Sequence, residues 1–380
     1  MLYQTHAIVH LGNIRCNIEG IRRAIGPGRG LLVAVKANGY GHGAVEVART
    51  ALRAGADWLG VATVPEGIEL REAGIELPIL KFSPLFEEEL EAALLHRLTL
   101  CVCDEAGARS MQSAAAALAG TVWTGPARVH LKVDTGMGRV GVSPGLAPAL
   151  ASLIERECPA LFLEGIFTHL PVSDQADRLY TQEQLARFKA VVESVNEAIG
   201  RKLGFVHAAN SGAVLGHEEA WLDLVRPGIM AYGHYPDEGT PRSIPLLPGM
   251  SLKTRISFIK RVAAGTAIGY GRSWTSQRDT LIATMPAGYA DGFNRLFSNR
   301  GRVLVDGRSC PVVGRVCMDQ SMIDLGPGSK ARVGDEVTLM GRSGGEEINC
   351  EEWARVLGSI TYEVTCQINA RVPRLYEGGD

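Results

Sequence analysis

No apolar run in this 380-residue chain approaches the roughly 18 residues that a membrane-crossing helix requires. Positive charge is not in excess either: 39 basic residues stand against 41 acidic ones, for a net charge of −2. That balance, with no long basic run, makes nucleic acid and anionic membrane surfaces poor partners. The eight cysteines are dispersed, and none forms C-x-x-C, which argues against a zinc site or a disulfide framework and fits a reducing compartment. There is no H-E-x-x-H, the glycines of GYGHG are not spaced as G-x-G-x-x-G, and no helix-opening dinucleotide fingerprint is convincing, so neither a metal nor a dinucleotide is expected. The opening MLYQTHAIVHLGNIRCNIEG has no basic start, apolar core or small-residue cleavage site, so a cytoplasmic protein is expected. Fixed-period repeats and low-complexity tracts are also missing.

What the chain does have is a succession of short aliphatic runs: 31–35, 58–63, 78–83, 98–103, 127–133, 162–168, 205–209 and 224–233. Stretches with helical spacing lie between them, at 43–54, 104–118, 145–157 and 180–200. Continuous aliphatic strands alternating with helices point to a parallel sheet covered on both faces. Eight such strands over about 230 residues is the count and size of a (β/α)8 barrel; a doubly wound open sheet is the alternative. The segment YPDEGTPRSIPLLPG (235–249) reads as a linker. Beyond it come β-like runs punctuated by Gly, Pro and Asp, and little helical periodicity until EEWARVLG at 351–358. The expected organisation is therefore a TIM barrel over 1–235 and a mostly β domain over 236–380.

In a barrel, chemistry gathers at the C-terminal ends of the strands. The first run ends in AVKANGYGHG, with Lys36, Tyr40 and His42; the fifth in KVDTGMGRVG, with Lys132, Asp134 and Arg139. The sixth ends at His169, the seventh in HAANSG with His207, Asn210 and Ser211, and the eighth carries Arg226, Gly228 and Ile229. Taken singly, each residue has an ordinary structural role: a solvated lysine, a hydrogen-bonded histidine, a salt-bridged arginine, a glycine in a tight turn. Their convergence on one predicted rim is what suggests a site. A strand-end lysine together with anion-binding hydroxyl and turn N–H groups suits pyridoxal phosphate (PLP), held by the lysine as a Schiff base, with Ser211, Gly228 and Ile229 at the phosphate.

The same blocks resemble alanine racemases. AVKANGYGHG, HLKVDTGMGRVGV, EGIFTHL, VHAANSG and VRPGIMAYG, then IGYGRSW, PAGYADGF, VGRVCMDQSMIDL, SITYEV and INARVPR, occur in that family's order over nearly the whole chain. The resemblance implies a (β/α)8 barrel followed by a β domain, a homodimer, and racemisation of L- and D-alanine. It makes Lys36 the PLP-binding residue and one catalytic base, and Tyr270, from the other subunit, the opposing base. Arg226 would bond the pyridine nitrogen. Tyr40, Ser211, Gly228, Ile229 and Tyr362 would hold the phosphate, with Asn210 counted among the cofactor-binding residues. Arg139 would meet the phenolic oxygen and take part in substrate binding, and His169 would lie against the ring. Met318, from the partner, would meet the substrate carboxylate through its backbone, and Tyr289 matches a position at the substrate entrance. Lys132 matches a lysine that carries a carbamate in many members. Gly39 stands where Ala is commoner, and Gly269 where Ser is frequent; neither change removes a functional group.

The chemistry needs these residue types. Racemisation takes a proton from one face of Cα and returns one to the other, so two bases on opposite faces are the simplest arrangement. An arginine at the ring nitrogen keeps its own proton and leaves that nitrogen unprotonated, a weaker electron sink than aminotransferases use. A serine or broad-specificity racemase of the same family is the nearest alternative. Basic amino-acid decarboxylases share the architecture but not IGYG and CMDQ, and non-catalytic PLP-binding barrels lack residues 235–380 and Tyr270.

Overall fold

The structure is a computed structural model in which residues 2–120 and 125–379 are described. It divides into two compact units. One comprises Ile14–Gly39 and Gly43–Leu247; the other comprises Met1–Asn13, Tyr40–His42 and Pro248–Asp380. The opening strand β1 (His6–His10) thus belongs with the C-terminal sequence.

The first unit is the (β/α)8 barrel. Its strands are β2 (Gly30–Ala34), β3 (Trp58–Val61), β4 (Ile79–Lys81), β5 (Leu100–Val102), β6 (Ala127–Lys132), β7 (Leu161–Phe167), β8 (Phe205–His207) and β9 (Leu224–Val225). All eight aliphatic runs became strands, and the paired strands among them run parallel. Two four-stranded arcs, β4-β3-β2-β9 and β5-β6-β7-β8, are joined at both seams. A parallel bridge between Leu80 and Thr99 links β4 to β5. Asp223 N donates to Val206 O at 3.1 Å, and Arg226 N to Ala209 O at 2.8 Å, linking β9 to β8.

The helices predicted between the strands appear at Ala44–Arg53, Glu105–Ala117, Ala147–Glu157 and Leu179–Ile199. Further helices include Glu87–Leu95 and Val64–Glu72; the latter is set by a capping box, in which Thr63 accepts from Glu66 N while the Glu66 carboxylate accepts from Thr63 N. Inside the barrel Leu32, Trp58, Leu80 and Leu224 pack together with Phe82 and Phe205.

The second unit is mostly β. Here β1 lies between Met250–Arg255, antiparallel, and Arg374–Glu377, parallel. A separate antiparallel sheet joins Phe258–Val262, Thr280–Met285 and Ser321–Asp324. A two-stranded hairpin, Ala267–Ile268 with Trp274–Thr275, carries the turn Tyr270–Arg272. Val262, Ile268, Ile282 and Val313 form the core beneath it. The run CPVVGRV, which reads as a strand, pairs as one only through Arg308–Pro311; Val312 adds a single bridge to Ile323. No helix of the described residues is long and apolar enough to cross a membrane.

Candidate active site

Lys36 leaves the end of β2 half-buried, and the chain then does something rare. Ala37, Asn38, Gly39 and Tyr40 all take left-handed conformations, with φ of 51°, 52°, 60° and 52°. For L-residues with a Cβ this costs about 1–2 kcal/mol each, and such strain persists only where neighbours impose it. Here they do. Glu66 Oε1 accepts from Ala37 N at 2.7 Å, Asn38 Oδ1 accepts from Ala44 N at 2.9 Å, and Gly39 N donates to Val35 O at 2.8 Å. Glycine at 39 relieves one of the four positions, and a Cβ there would press on Ala44 at 3.3 Å. The turn hands the lysine to the barrel mouth and holds it there.

Period-two alternation along a strand decides what accompanies it. On β6, His130 and Lys132 share a face; the row Phe167–His169 extends β7, and His207 closes β8. Phe167 lies at the centre of this group. Its ring stacks on His207 (4.9 Å between centroids, 6° between planes), with Lys132 Nζ 5.3 Å and the Arg226 guanidinium 5.5 Å from its centroid. Lys132 also donates to Phe82 O at 3.2 Å, while Lys36 Nζ lies 5.9 Å from the Phe82 ring centroid. The electrostatics are one-sided. Burial, and then the charges of Arg226, Arg139, Lys132 and Lys36, push His169 down to about 3. Burial likewise lowers Lys132, helped by Arg139 and Arg226 and opposed by Cys101 and Cys103. Burial takes Arg226 down to about 9, which still leaves it charged at neutral pH.

Arg226 heads a buried polar chain. Its Nη2 donates to Thr168 O (2.7 Å) and Ala208 O (3.0 Å), and its Nη1 to His207 Nδ1 (3.0 Å). Arginine only donates, so His207 Nδ1 accepts, and its proton sits on Nε2, 2.8 Å from His130 Nδ1. His130 Nε2 then faces Glu164 Oε2 at 3.6 Å, and Glu164 pairs with Arg128 at the surface. Both histidines are held below the ordinary value: burial lowers each of them and Arg226 adds to the effect, while Glu164 opposes it at His130.

A pH dependence arises from three histidines held below their ordinary value of 6.5. As pH falls below that value the unfolded chain takes up protons that the folded chain refuses, so stability must fall. Each group contributes at most about 1.4 kcal/mol per pH unit until its native pKa is reached. The urea midpoint is expected to be clearly lower at pH 5 than at pH 7.5; equal midpoints would contradict the neutral relay.

The remaining barrel residues occupy loops with defined supports. Asp134 Oδ1 accepts from Gly136 N, Met137 N and Gly138 N at 2.8–3.1 Å, fixing the turn that leads to exposed Arg139. Burial opposes ionisation of Asp134, but these backbone donors win and its pKa falls. Asn210 is fully engaged: Oδ1 accepts from Ala213 N and Ser173 Oγ, and Nδ2 donates to Leu170 O beside His169. Ser211 Oγ accepts from Gly228 N at 2.9 Å and Met230 N at 3.5 Å, bringing Ser211, Gly228 and the Ile229 turn together.

The β unit holds the other five. Tyr40 and Tyr362 lie with ring centroids 6.1 Å apart. Tyr270 is 72% exposed, on a turn whose flanking Gly269 and Gly271 have φ of 74° and 68°. Tyr289 and Met318 sit on segments tied together by Tyr289 N to Cys317 O and Ala290 N to Met318 O, both 3.0 Å. That approach demands Gly288, where a Cβ would lie 2.3 Å from the Cys317 and Met318 carbonyl oxygens. Buried Asp291 holds the same region, accepting from Tyr3 (2.6 Å), Gly288 N (2.9 Å) and Arg371 (2.7 and 3.0 Å). Sequence reasoning did not single out Phe82, Phe167, His130, Glu66 or Asp291. Their importance lies in register and long-range contact, although the Thr63-x-x-Glu66 capping box was readable in the chain.

A barrel with a cationic, lysine-bearing mouth, joined in one chain to a β unit that displays tyrosines, defines the class of barrel-plus-β-domain amino-acid enzymes. The comparisons narrow it further. The profile for the alanine racemase N-terminal domain matches residues 9–236, and that for the C-terminal domain matches 249–376. Alanine racemases of Cutibacterium acnes and Desulforamulus reducens are 44% and 45% identical over 376 residues, covering 98% of this chain and 98% of each relative. The solved alanine racemase of Clostridium difficile superposes with a TM-score of 0.92 at 36% identity, covering 99% of this chain and 96% of that one. The chain belongs to the alanine racemase family and is an amino-acid racemase, an isomerase.

Proposed function

We propose that this protein interconverts L- and D-alanine with PLP, using Lys36 and a tyrosine from a second copy of the chain as opposed bases. The observation that carries the cofactor assignment is the cluster of Lys36, Lys132, Arg139 and Arg226 whose charges act on one neutral histidine, His169. A group bearing a phosphate and a phenolate, with a substrate carboxylate beside it, fits such a field. When bound, PLP supplies an electron sink that acidifies the substrate α-hydrogen.

The chain's own residues do the rest. Lys36 offers a primary amine at a strand end, able to hold the cofactor covalently and, once displaced by substrate, to take or return a proton at Cα. Arg226, immobilised by its three acceptors, donates to the pyridine nitrogen and keeps that nitrogen unprotonated. The neutral His207–His130 pair accepts from it without supplying a proton. Ser211 with the Gly228 and Ile229 backbone, and Tyr40 with Tyr362, take the phosphate, and Arg139 takes the phenolic oxygen. Burial lowers the pKa of Lys132, which raises the share of neutral amine able to add carbon dioxide and form a carbamate. Tyr270 and Met318, 72% and 53% exposed, are suited to enter the site of a second copy, making the working unit a homodimer. The eight cysteines, all present as thiols, support a cytoplasmic setting.

Circular dichroism of L-alanine incubated with the PLP-loaded protein tests the proposal, with L-serine and L-lysine in parallel. The alanine signal is expected to decay to zero fastest. Decay of serine or lysine with a flat alanine trace would move the substrate, and no decay with any of them would overturn racemisation.

A further inference from the structure

Next to the lysines of the barrel mouth lies a pair of thiols that the racemase chemistry does not use. Cys101 stands opposite His130 in the β5–β6 register, so it shares the inward face with His130. Cys103, two residues on, shares it with Lys132. The two sulfurs are 3.7 Å apart. Cys101 is fully buried, while Cys103 is partly open. The strands on either side carry buried Lys81 and Lys132, whose charges act on both thiols; Asp104 is the opposing charge at Cys103.

We propose that Cys101 and Cys103 form a redox-active dithiol, with Cys103 reacting first with hydroperoxides and Cys101 closing a disulfide onto it. The two partners are chemically unequal in the sense this requires. The hydrogen bond from Cys101 lowers the pKa of Cys103, Lys132 and Lys81 reinforce the effect, and burial opposes it. Burial raises that of Cys101, as does the same hydrogen bond. The half-exposed sulfur is therefore the more readily ionised and more accessible nucleophile, and the buried one is the resolving thiol.

In the first step the Cys103 thiolate attacks the outer oxygen of a hydroperoxide. The S–O bond forms as the O–O bond breaks, the alkoxide or hydroxide leaves with a proton, and Cys103 becomes a sulfenic acid, oxidised by two electrons. In the second, the Cys101 sulfur attacks the Cys103 sulfur and hydroxide departs, taking the Cys101 proton as water. The sum is two thiols plus one hydroperoxide giving one disulfide, one alcohol or water, and one further water. Residues i and i+2 of a strand are separated by about 6.6 Å, near the upper limit for a disulfide of about 6.8 Å, so the bond should be readily reduced by a small dithiol. Oxidation also removes the thiolate whose charge favours the ammonium form of Lys132.

The test exposes the PLP-loaded protein to hydrogen peroxide and tracks each cysteine by differential alkylation and peptide mass. The expected result is that Cys103 is consumed at least about tenfold faster than exposed Cys16 and Cys366. Cys101 should be lost with it, a peptide spanning both should be lighter by two hydrogens, and dithiothreitol should reverse the change. In Cys101→Ser a dimedone adduct should accumulate on Cys103, and in Cys103→Ser position 101 should stay reduced. Reaction of Cys103 no faster than Cys16, or its oxidation with Cys101 left as a free thiol, would overturn the proposal.

Discussion

Lys36→Ala is expected to lose racemase activity by more than about 10⁴-fold, because both covalent attachment of the cofactor and one proton-transferring group disappear together. The fold should survive, since Lys36 is only half-buried at a strand end and the turn behind it is held by backbone contacts to Glu66, Asn38 and Val35. Lys36→Arg should be just as inactive, because guanidinium keeps the charge but offers neither a free amine nor a proton acceptor near neutral pH. Activity alone would not locate the attachment point, and the site contains a rival. Lys132 is buried, and its pKa is lowered, which raises its share of free amine. Position argues the other way: Lys132 is committed to Phe82 O and sits between an aromatic face and two thiols. Borohydride reduction of the PLP-loaded wild type, with peptide mass as the readout, should therefore find the pyridoxyl group on the peptide carrying Lys36. It should be gone from that peptide and from every other in Lys36→Ala. An adduct on Lys132 in the wild type would reverse the roles of the two lysines.

The barrel could be read from the chain for a physical reason. Strands covered on both faces read as near-continuous aliphatic runs, so LLVAV announces itself without context. Strand β1 did not. HAIVH alternates buried and half-buried positions, and its partners lie at 250–253 and 374–377, a closure that no local pattern encodes. CPVVGRV erred in the opposite direction, aliphatic yet mostly unpaired, because its residues Val312, Val313 and Val316 fill the core from a loop. The lysine, arginines and histidines of the mouth could be collected from the C-terminal end of each predicted strand. What they do to one another could not. The relay from Arg226 through His207 and His130 to Glu164 depends on side-chain register across four neighbouring strands, β6 to β9, and a left-handed turn behind Lys36 is only hinted at by its glycines. The assignment of Tyr270 rested on resemblance, since an exposed tyrosine in a hairpin has no signature of its own.

Tyr270→Phe separates the two bases. The substitution removes one hydroxyl from a side chain that is 72% exposed, so the fold should change by no more than about 0.5 kcal/mol. Racemisation should fall by on the order of 10³-fold, the usual scale for a lost acid–base group. It should fall equally in both directions, because the equilibrium between antipodes is fixed. Hydrogen exchange at Cα need not obey that symmetry. With Lys36 intact, one antipode should still trade its α-hydrogen with deuterated solvent while the other does not; equal exchange from both would mean a single base serves both faces. Mixing then tests whose tyrosine it is. If Tyr270 serves the site of a second copy, a dimer of one Lys36→Ala chain and one Tyr270→Phe chain has one site with both defects and one with none. Random re-association makes half the dimers mixed, so about a quarter of wild-type activity should return from two inactive parents. If Tyr270 instead serves its own barrel, every site in the mixture keeps one defect and nothing returns.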